Sequence, residues 1–219
     1  MITPVDTSAD HAGLVLDDVA VDLRGRELLR VSLKVRPGEI ATVMGPSGSG
    51  KSTLLAAIGG FLEPTFSMSG RVTLRGADVT ALAPHARHIG ILFQDDLLFP
   101  HLSVGDNVAF ALPADIRGTA ARRQRAAAAL AEVGLDGMGS RDPATLSGGQ
   151  RARVALVRVL VSEPNALLLD EPFSKLDTDL REQIRLLVFA EAQRLGLPTL
   201  LVTHDADDAR AAAGSIVRL

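Results

Sequence analysis

The chain has 219 residues, and its 23 basic and 26 acidic side chains give a formal net charge of -3. This length predicts one domain with at most a small appended lobe, and the nearly balanced charge excludes a protein held mainly by nucleic-acid phosphates or anionic lipid. Because the sequence contains no cysteine, a disulfide framework and a thiolate metal site are also excluded. We therefore expect no nucleic-acid partner.

The beginning of the chain carries few structural signals. Residues 1–12 are polar and show neither the basic region nor the apolar core of a secretory signal, so we expect a flexible tail before a domain that covers residues 13–219. No apolar run in the sequence reaches the roughly 20 residues that a membrane-spanning helix needs. A cytoplasmic location is the resulting expectation.

The rest of the sequence alternates strand and helix patterns. Residues 14–21 and 33–42 are β-rich and are punctuated by Gly25 and by Pro37–Gly38, which predicts antiparallel strands and a turn before the strand at 40–44. The later predicted elements are strands at 40–44, 71–74, 89–93, 166–170, 199–203 and near 216, with helices at 52–58, 119–133, 149–161 and 179–195. Such alternation predicts an α/β fold with a mixed, mainly parallel sheet core, and the helices between about 95 and 160 indicate a helical subdomain.

A phosphate-binding pattern follows the buried strand at 40–44. It consists of Gly45, Pro46, Ser47, Gly48, Ser49, Gly50, Lys51 and Ser52. Glycines let backbone N–H groups approach a polyphosphate, Lys51 supplies a cation, and the Ser52 hydroxyl can bind Mg²⁺. Thr53 can add a phosphate contact. A flexible Gly/Ser turn is the alternative, but a strand precedes this turn and a helix follows it.

Two carboxylates end the apolar strand at 166–170. Asp170 lies at the end of this run, where the crevice beside a parallel sheet holds ligands, and it suits Mg²⁺. Glu171 suits the polarisation of an attacking water. A strand that simply leaves the core could also end in Asp and Glu, but the phosphate-binding pattern upstream favours the catalytic interpretation.

A second glycine-containing helix start lies before the helix at 149–161. It reads Leu146, Ser147, Gly148, Gly149 and Gln150. Ser147 could be an ordinary helix N-cap. Together with the phosphate loop, the two carboxylates, Gln94 after one strand and His204 after another, this pentapeptide resembles the signature of the nucleotide-binding subunit of ATP-binding cassette (ABC) transporters, which have a P-loop NTPase fold.

The resemblance implies a role for each matched residue. Gln94 would reach Mg²⁺ and the attacking water, His204 would contact the γ-phosphate, and Asp177 would line a dimer interface. In this family two copies sandwich two ATP molecules head to tail, so that each signature faces the partner's phosphate loop. The resemblance therefore implies an ATPase whose partner is a second copy of itself.

Two positions depart from the common pattern of the family. Leu23 and Arg24 stand where many relatives place an aromatic residue on adenine. We expect apolar contact and the flat guanidinium of Arg24 to hold the base. Lys175 stands where a small residue is more common, which places a charge near the implied dimer interface.

The segment 94–108 resembles the coupling segment of bacterial importers. Its apolar residues indicate a docking surface for a transmembrane permease; they are Leu97, Leu98, Phe99, Leu102 and Val104. The resemblance implies an importer subunit on the inner face of the membrane, without a C-terminal regulatory domain and supplied by a solute-binding protein. An ordinary apolar loop is one alternative for the segment, and a soluble ABC ATPase acting on ribosomes or DNA is the alternative for the whole chain.

Overall fold

The computed structural model describes residues 13–219, so the tail expected at residues 1–12 lies outside the described residues. The chain forms two compact units. We call the first the sheet unit; it contains the residues up to Ile89 together with Asn165–Glu171 and Phe189–Leu219. The second, the helical unit, contains Gly90–Pro164 and Pro172–Val188.

An antiparallel sheet forms one part of the sheet unit. Its strands lie in the order β2, β1, β4, β5, and they span Leu14–Leu23 (β1), Arg26–Val35 (β2), Phe66–Leu74 (β4) and Ala77–Asp78 (β5). Arg24 and Gly25 join β1 to β2 with φ angles of 52° and 81°. Positive φ at both positions is typical of a two-residue hairpin whose twist matches that of the flanking strands.

The parallel sheet contains the most buried strands of the sheet unit. Three of its strands are almost entirely buried, namely β3 (Ile40–Met44), β7 (Ala166–Asp170) and β8 (Thr199–Thr203), whereas the short edge strand β9 (Ile216–Arg218) is largely exposed. β8 pairs with both β7 and β3, so that Met44 is opposite Thr203 and Asp170 is opposite Val202. Because the strands run in the same direction, the segments that follow β3, β7 and β8 leave the sheet at one edge.

Helices of the sheet unit include α1 (Lys51–Gly59) and α6 (Ala206–Ala212). Arg87 is almost fully buried and donates hydrogen bonds to the carbonyl oxygens of Ala57 and Ile58 in the last turn of α1 at 3.0 and 2.7 Å. It also donates to the carbonyls of Thr80 and Leu82. A cation at a helix C-terminus is favourable, so Arg87 anchors the far end of the helix that begins at the phosphate loop.

The helical unit has a core of its own. Its elements are α2 (Val104–Ala111), α3 (Thr119–Glu132), α4 (Gly148–Leu160) and the first part of α5 (Thr178–Arg194). The strand β6 (Ile89–Leu92) leads into this unit. Val104, Leu130 and Val154, one from each of the first three helices, belong to the same buried cluster. Hydrophobic burial between amphipathic faces therefore stabilises this unit.

The structure has one predicted turn and one helix that was not predicted. The turn expected at Pro37–Gly38, before the strand at 40–44, is present, because β2 ends at Val35 and β3 begins at Ile40. Between them Gly38 has a φ of 73°, and a Pro–Gly pair reverses the chain there. The helix α6 was not predicted, since its seven residues are mostly alanine and aspartate and show no apolar period.

Candidate active site

The loop between β3 and α1 exposes backbone in a conformation suited to anions. Gly48 and Gly50 have φ angles of 82° and 88°, in the left-handed region that glycine enters without strain. A Cβ at Gly48 would meet no atom within 4 Å, so internal packing does not require glycine there. Gly50 is the N-cap of α1 and gives it no side-chain cap. The first N–H groups of this helix are therefore suited to bind phosphate oxygens.

Lys51 lies inside this loop. Its ammonium donates hydrogen bonds to the carbonyls of Gly45 and Pro46, each at 2.8 Å, and its side chain is only 5% exposed. The same nitrogen lies 3.9 Å from Glu171 Oε1. A nearly buried cation held by two neutral carbonyls can form a stronger contact with phosphate, because the charge of the anion adds to the hydrogen bond.

Oxygen ligands for a cation meet beside the loop. The Ser52 hydroxyl donates a hydrogen bond to Asp170 Oδ1 at 3.0 Å. Burial raises the pKa of the Asp170 carboxyl, and the hydrogen bond from Ser52 opposes that rise. Within residues 13–219 no three His, Cys, Asp or Glu side chains form a metal-binding group. The residues fit Mg²⁺, which typically takes one or two carboxylates together with phosphate oxygens and water.

Glu171 and His204 follow adjacent strands and lie in contact. Glu171 N donates to Val202 O at 2.9 Å across the sheet, and His204 Nδ1 lies 3.0 Å from Glu171 Oε2. Glu171 has a φ of 45°, a left-handed conformation that costs energy for a residue with a side chain. The fold therefore fixes this carboxylate in a strained position between Lys51 and the imidazole.

The segment that carries His204 is held by residues that the sequence analysis missed. Thr203 Oγ1 donates to Asp208 Oδ2 at 3.3 Å and accepts a hydrogen bond from Asp205 N at 3.0 Å. Asp205 also caps α6 by accepting from Asp207 N. The cap pattern of Asp205 before an alanine-rich stretch was a usable signal, whereas the contact of Thr203 with Asp208 depends on the turn geometry.

The predicted adenine contact involves Arg24 and Leu23, and the structure adds an apolar residue near Gly50. Arg24 is exposed in the β1–β2 hairpin, and Leu23 before it is 38% exposed. A Cβ built at Gly50 would lie 2.8 Å from methyl carbons of both Leu28 and Leu29. Leu28 therefore lies against the phosphate loop and is a further apolar residue beside it that the sequence analysis did not name.

The pentapeptide 146–150 lies in the helical unit at the start of α4. Ser147 accepts a hydrogen bond from Gln150 N at 3.3 Å, and Gln150 Oε1 accepts one from Ser147 N at 3.0 Å, which completes a capping box. A Cβ at Gly149 would lie 2.4 Å from Leu180 Cδ1, whereas one at Gly148 would meet only Arg151 at 3.9 Å. Packing explains Gly149. It does not explain Gly148.

Gln94 and Asp177 also lie in the helical unit. Gln94 Nε2 donates to Ser174 Oγ at 3.1 Å. Asp177 Oδ1 accepts from Leu180 N at 3.1 Å, at the position before α5 begins. The structure thus gives the Asp177 carboxylate a local role as a helix cap, which is compatible with a second role at an interface.

The predicted docking surface needs one correction. Val104 was expected to be exposed, but it is fully buried in the core of the helical unit as the first residue of α2. Leu98 is half-buried against the same core. Leu97 is 55% exposed, and the nearby Phe110, which contacts Phe99 edge to face, is 68% exposed. The exposed apolar surface therefore centres on Leu97 and Phe110.

Comparisons with known proteins agree with this geometry. The family model described as ABC transporter matches residues 28–174. The chain belongs to the ABC transporter family. It is 51% identical over 183 residues to the Uncharacterized ABC transporter ATP-binding protein YnjD of Escherichia coli (strain K12), with 84% of each chain covered. The predicted family is confirmed.

Two further relatives add detail. The Fe(3+) ions import ATP-binding protein FbpC of Rhizobium etli is 46% identical over 85% of this chain, which spans about half (52%) of that relative. The solved dimeric, post-hydrolysis structure of the ATP-binding cassette MJ0796 with ADP and Pi is 33% identical, with a TM-score of 0.78 and 94% coverage of both chains.

The ABC family membership settles the broad predictions. The P-loop α/β fold class is confirmed, and the chain is an ABC ATPase. The interpretation as a transporter subunit is supported over a soluble switch on ribosomes or DNA. Among residues 13–219, no helix is both long enough and apolar enough to cross a membrane.

Proposed function

We propose that residues 13–219 form one ABC ATPase domain that binds and hydrolyses ATP to energise a bacterial importer. The observation that carries the proposal is the cluster at one edge of the parallel sheet. There Lys51 lies 3.9 Å from Glu171, Glu171 lies 3.0 Å from His204, and Ser52 donates to Asp170 beside a glycine loop. The name of the Rhizobium relative, an import ATP-binding protein, supports the direction of transport.

ATP binds with its phosphates on the loop 45–53. The N–H groups at the start of α1 and the Lys51 ammonium hold the phosphate oxygens. Ser52 and Asp170 are the proposed ligands of Mg²⁺ in the sheet unit, and for Gln94 we keep the role toward Mg²⁺ that the family resemblance implies. When bound with ATP, Mg²⁺ neutralises charge that develops on the transferred phosphoryl group. Leu23, Leu28 and Arg24 supply the contacts that replace an aromatic residue on adenine.

Glu171 is the proposed general base. Its carboxylate accepts a proton from the attacking water, and the strained backbone at φ 45° keeps the carboxylate close to Lys51 and His204. His204 orients the carboxylate through the contact of its Nδ1 with Oε2. The opposite ring nitrogen of His204 can then contact the γ-phosphate.

A second copy of the chain completes each site in this proposal. The residues 146–150 supply the completing surface, and Asp177 lies near the interface between the copies. Gly148 supports this arrangement, because its own chain leaves room for a side chain there. A glycine that packing does not require is expected where a phosphate approaches the backbone. The dimeric state named for the solved relative agrees with a pair.

The importer also needs a membrane partner. We place the permease contact on the segment 94–108, where Leu97 is largely exposed, and extend it to Phe110 on α2. An exposed apolar patch on a charged protein typically marks a partner surface. This contact would hold the subunit on the cytoplasmic face of the membrane, and a solute-binding protein would deliver the substrate to the permease.

Replacing the proposed base tests this function. Glu171→Gln keeps the size of the side chain and removes the base, so we expect ATP binding to persist while turnover falls by more than about 100-fold. The ATP-bound variant should accumulate as a dimer in size-exclusion chromatography with light scattering. Glu182→Gln, an exposed change on α5, is the control and should behave like the parent chain. A Glu171→Gln chain that still turns over ATP as a monomer would refute the proposal.

A further inference from the structure

Lys175 is the charge that neither the family pattern nor the proposed ATP site explains. It lies in the helical unit, in the segment between β7 and α5, and its side chain is about half exposed. Its ammonium forms an ion pair with the Asp95 carboxylate. The preceding residue, Ser174, accepts the hydrogen bond from Gln94. Two adjacent residues thus bind two adjacent residues that lie 80 positions earlier in the sequence.

The next two residues of the same segment are held by α4 instead. Arg151 Nε donates to Asp96 Oδ2 at 3.2 Å. Arg158 donates to the carbonyl oxygens of Asp96 and Leu97 at 3.0 and 2.7 Å. The segment 94–97 is therefore held by α4 at Asp96 and Leu97, and by Ser174 and Lys175 at Gln94 and Asp95.

A small polar cavity lies beside the end that Lys175 holds. It has a volume of about 200 Å³, and its lining includes Gln94, Asp95, Arg151 and Lys175. This volume has room for several water molecules. Because water can fill the space beside it, apolar packing does not fix the direction of the Gln94 amide. Polar contacts must fix it.

We propose that Lys175 is a positioning residue that, through its ion pair with Asp95, keeps the Gln94 amide nitrogen on Ser174 and leaves the amide oxygen free to bind a ligand. Within residues 13–219 that oxygen accepts no hydrogen bond. Since Lys175 and Asp177 lie two positions apart, the ion pair also links the segment of Asp177 to the segment of Gln94. The inference rests on the proposed role of Gln94 in hydrolysis.

The size of the effect follows from the exposure of the pair. The side chains of Lys175 and Asp95 are 52% and 65% exposed, so solvent screens their attraction and loss of the pair leaves the fold intact. Removing either partner should allow the Gln94 amide to rotate, which lowers the fraction of productive sites. We expect kcat to fall by about threefold to fivefold while KM for ATP stays unchanged.

Steady-state ATP hydrolysis by the purified full chain with Mg²⁺ tests the pair. Lys175→Ala and Asp95→Ala should each lower kcat, and the double variant should be no worse than either single variant, because the two act as one unit. The exchanged pair, Lys175→Asp with Asp95→Lys, should recover most of the activity. A recovery of this kind is not expected if each residue only supports the fold.

Hydrogen exchange gives a second readout that does not need turnover. Peptides covering 94–99 should exchange faster in both single alanine variants and return to the parent rate in the exchanged pair. Arg71→Ala, which removes an exposed ion pair with Asp78 in the sheet unit, is the matched control and should change neither readout. Unchanged kcat and exchange in the single variants, or an exchanged pair as poor as the double alanine variant, would overturn the inference. A parent chain without ATPase activity would instead refute the proposed function, and the exchange data would still test whether the ion pair of Lys175 with Asp95 holds the segment 94–97.

Discussion

The chain opens two helices with glycine and serine, and the two helix starts differ in what surrounds them. Gly50 at the start of α1 offers no side-chain cap, and Lys51, Asp170 and Glu171 lie close to it in the sheet unit. Ser147 at the start of α4 is bound in a capping box. The first start has the groups that the proposed site needs for a charged polyphosphate, including the Lys51 ammonium. In the proposed dimer, the second start adds contacts to a ligand that the first start of another copy holds.

Removing the Lys51 ammonium from the first helix start should have the largest effect on activity. Lys51→Ala should lower Mg²⁺-dependent ATP hydrolysis by more than about 100-fold, because no other side chain supplies a cation within the loop. Steady-state turnover measures the effect. Lys34→Ala on β2, an exposed lysine in the same unit, is the matched control and should keep the parent rate. If the two alanine variants hydrolyse ATP equally well, the loop is not the phosphate site.

The second helix start can be dissected by its two glycines. Gly149→Ala places a Cβ 2.4 Å from Leu180 Cδ1, so we expect a loss of about 1–2 kcal/mol in the free energy of unfolding. Gly148→Ala meets no close atom and should change it by less than about 0.5 kcal/mol. Urea unfolding of both variants measures the contrast. Equal losses at the two positions would mean that Gly148 is also required by the fold.

The sequence predicted the parts of the site that are local. The phosphate loop could be recognised because a buried strand, a glycine turn and a helix follow one another without a break, and Asp170 could be placed because it ends an apolar run. The contact of Glu171 with His204 could not be predicted from the residues alone, since it depends on the pairing of β7 with β8. The exposure of Val104 was predicted wrongly for a related reason.

In the helical unit the burial of Val104 and the ion pair of Lys175 could not be predicted from the sequence. The sequence analysis placed Val104 with the exposed apolar residues of the segment, but Val104 is the first residue of α2 and its side chain is fully buried. The partner of Lys175 lies 80 positions away, and only the tertiary fold brings them together. In the sheet unit the strand ends order the site. In the helical unit, contacts between side chains far apart in the sequence position Gln94 and Asp95.

In the proposed dimer the phosphate loop of one copy works with the second helix start of another, and a mixing experiment can test this requirement for two copies. Glu171→Gln removes the proposed base beside the phosphate loop. Gly148→Asp disables the second helix start by placing a negative charge where phosphate would approach. Each variant alone should be inactive, although both should fold and bind ATP. Random pairing of equal amounts makes about half of the dimers mixed, and in each mixed dimer one of the two sites has both parts intact. The mixture should therefore recover about a quarter of the parent activity. A mixture that remains as inactive as its separate components would contradict a site shared between two copies.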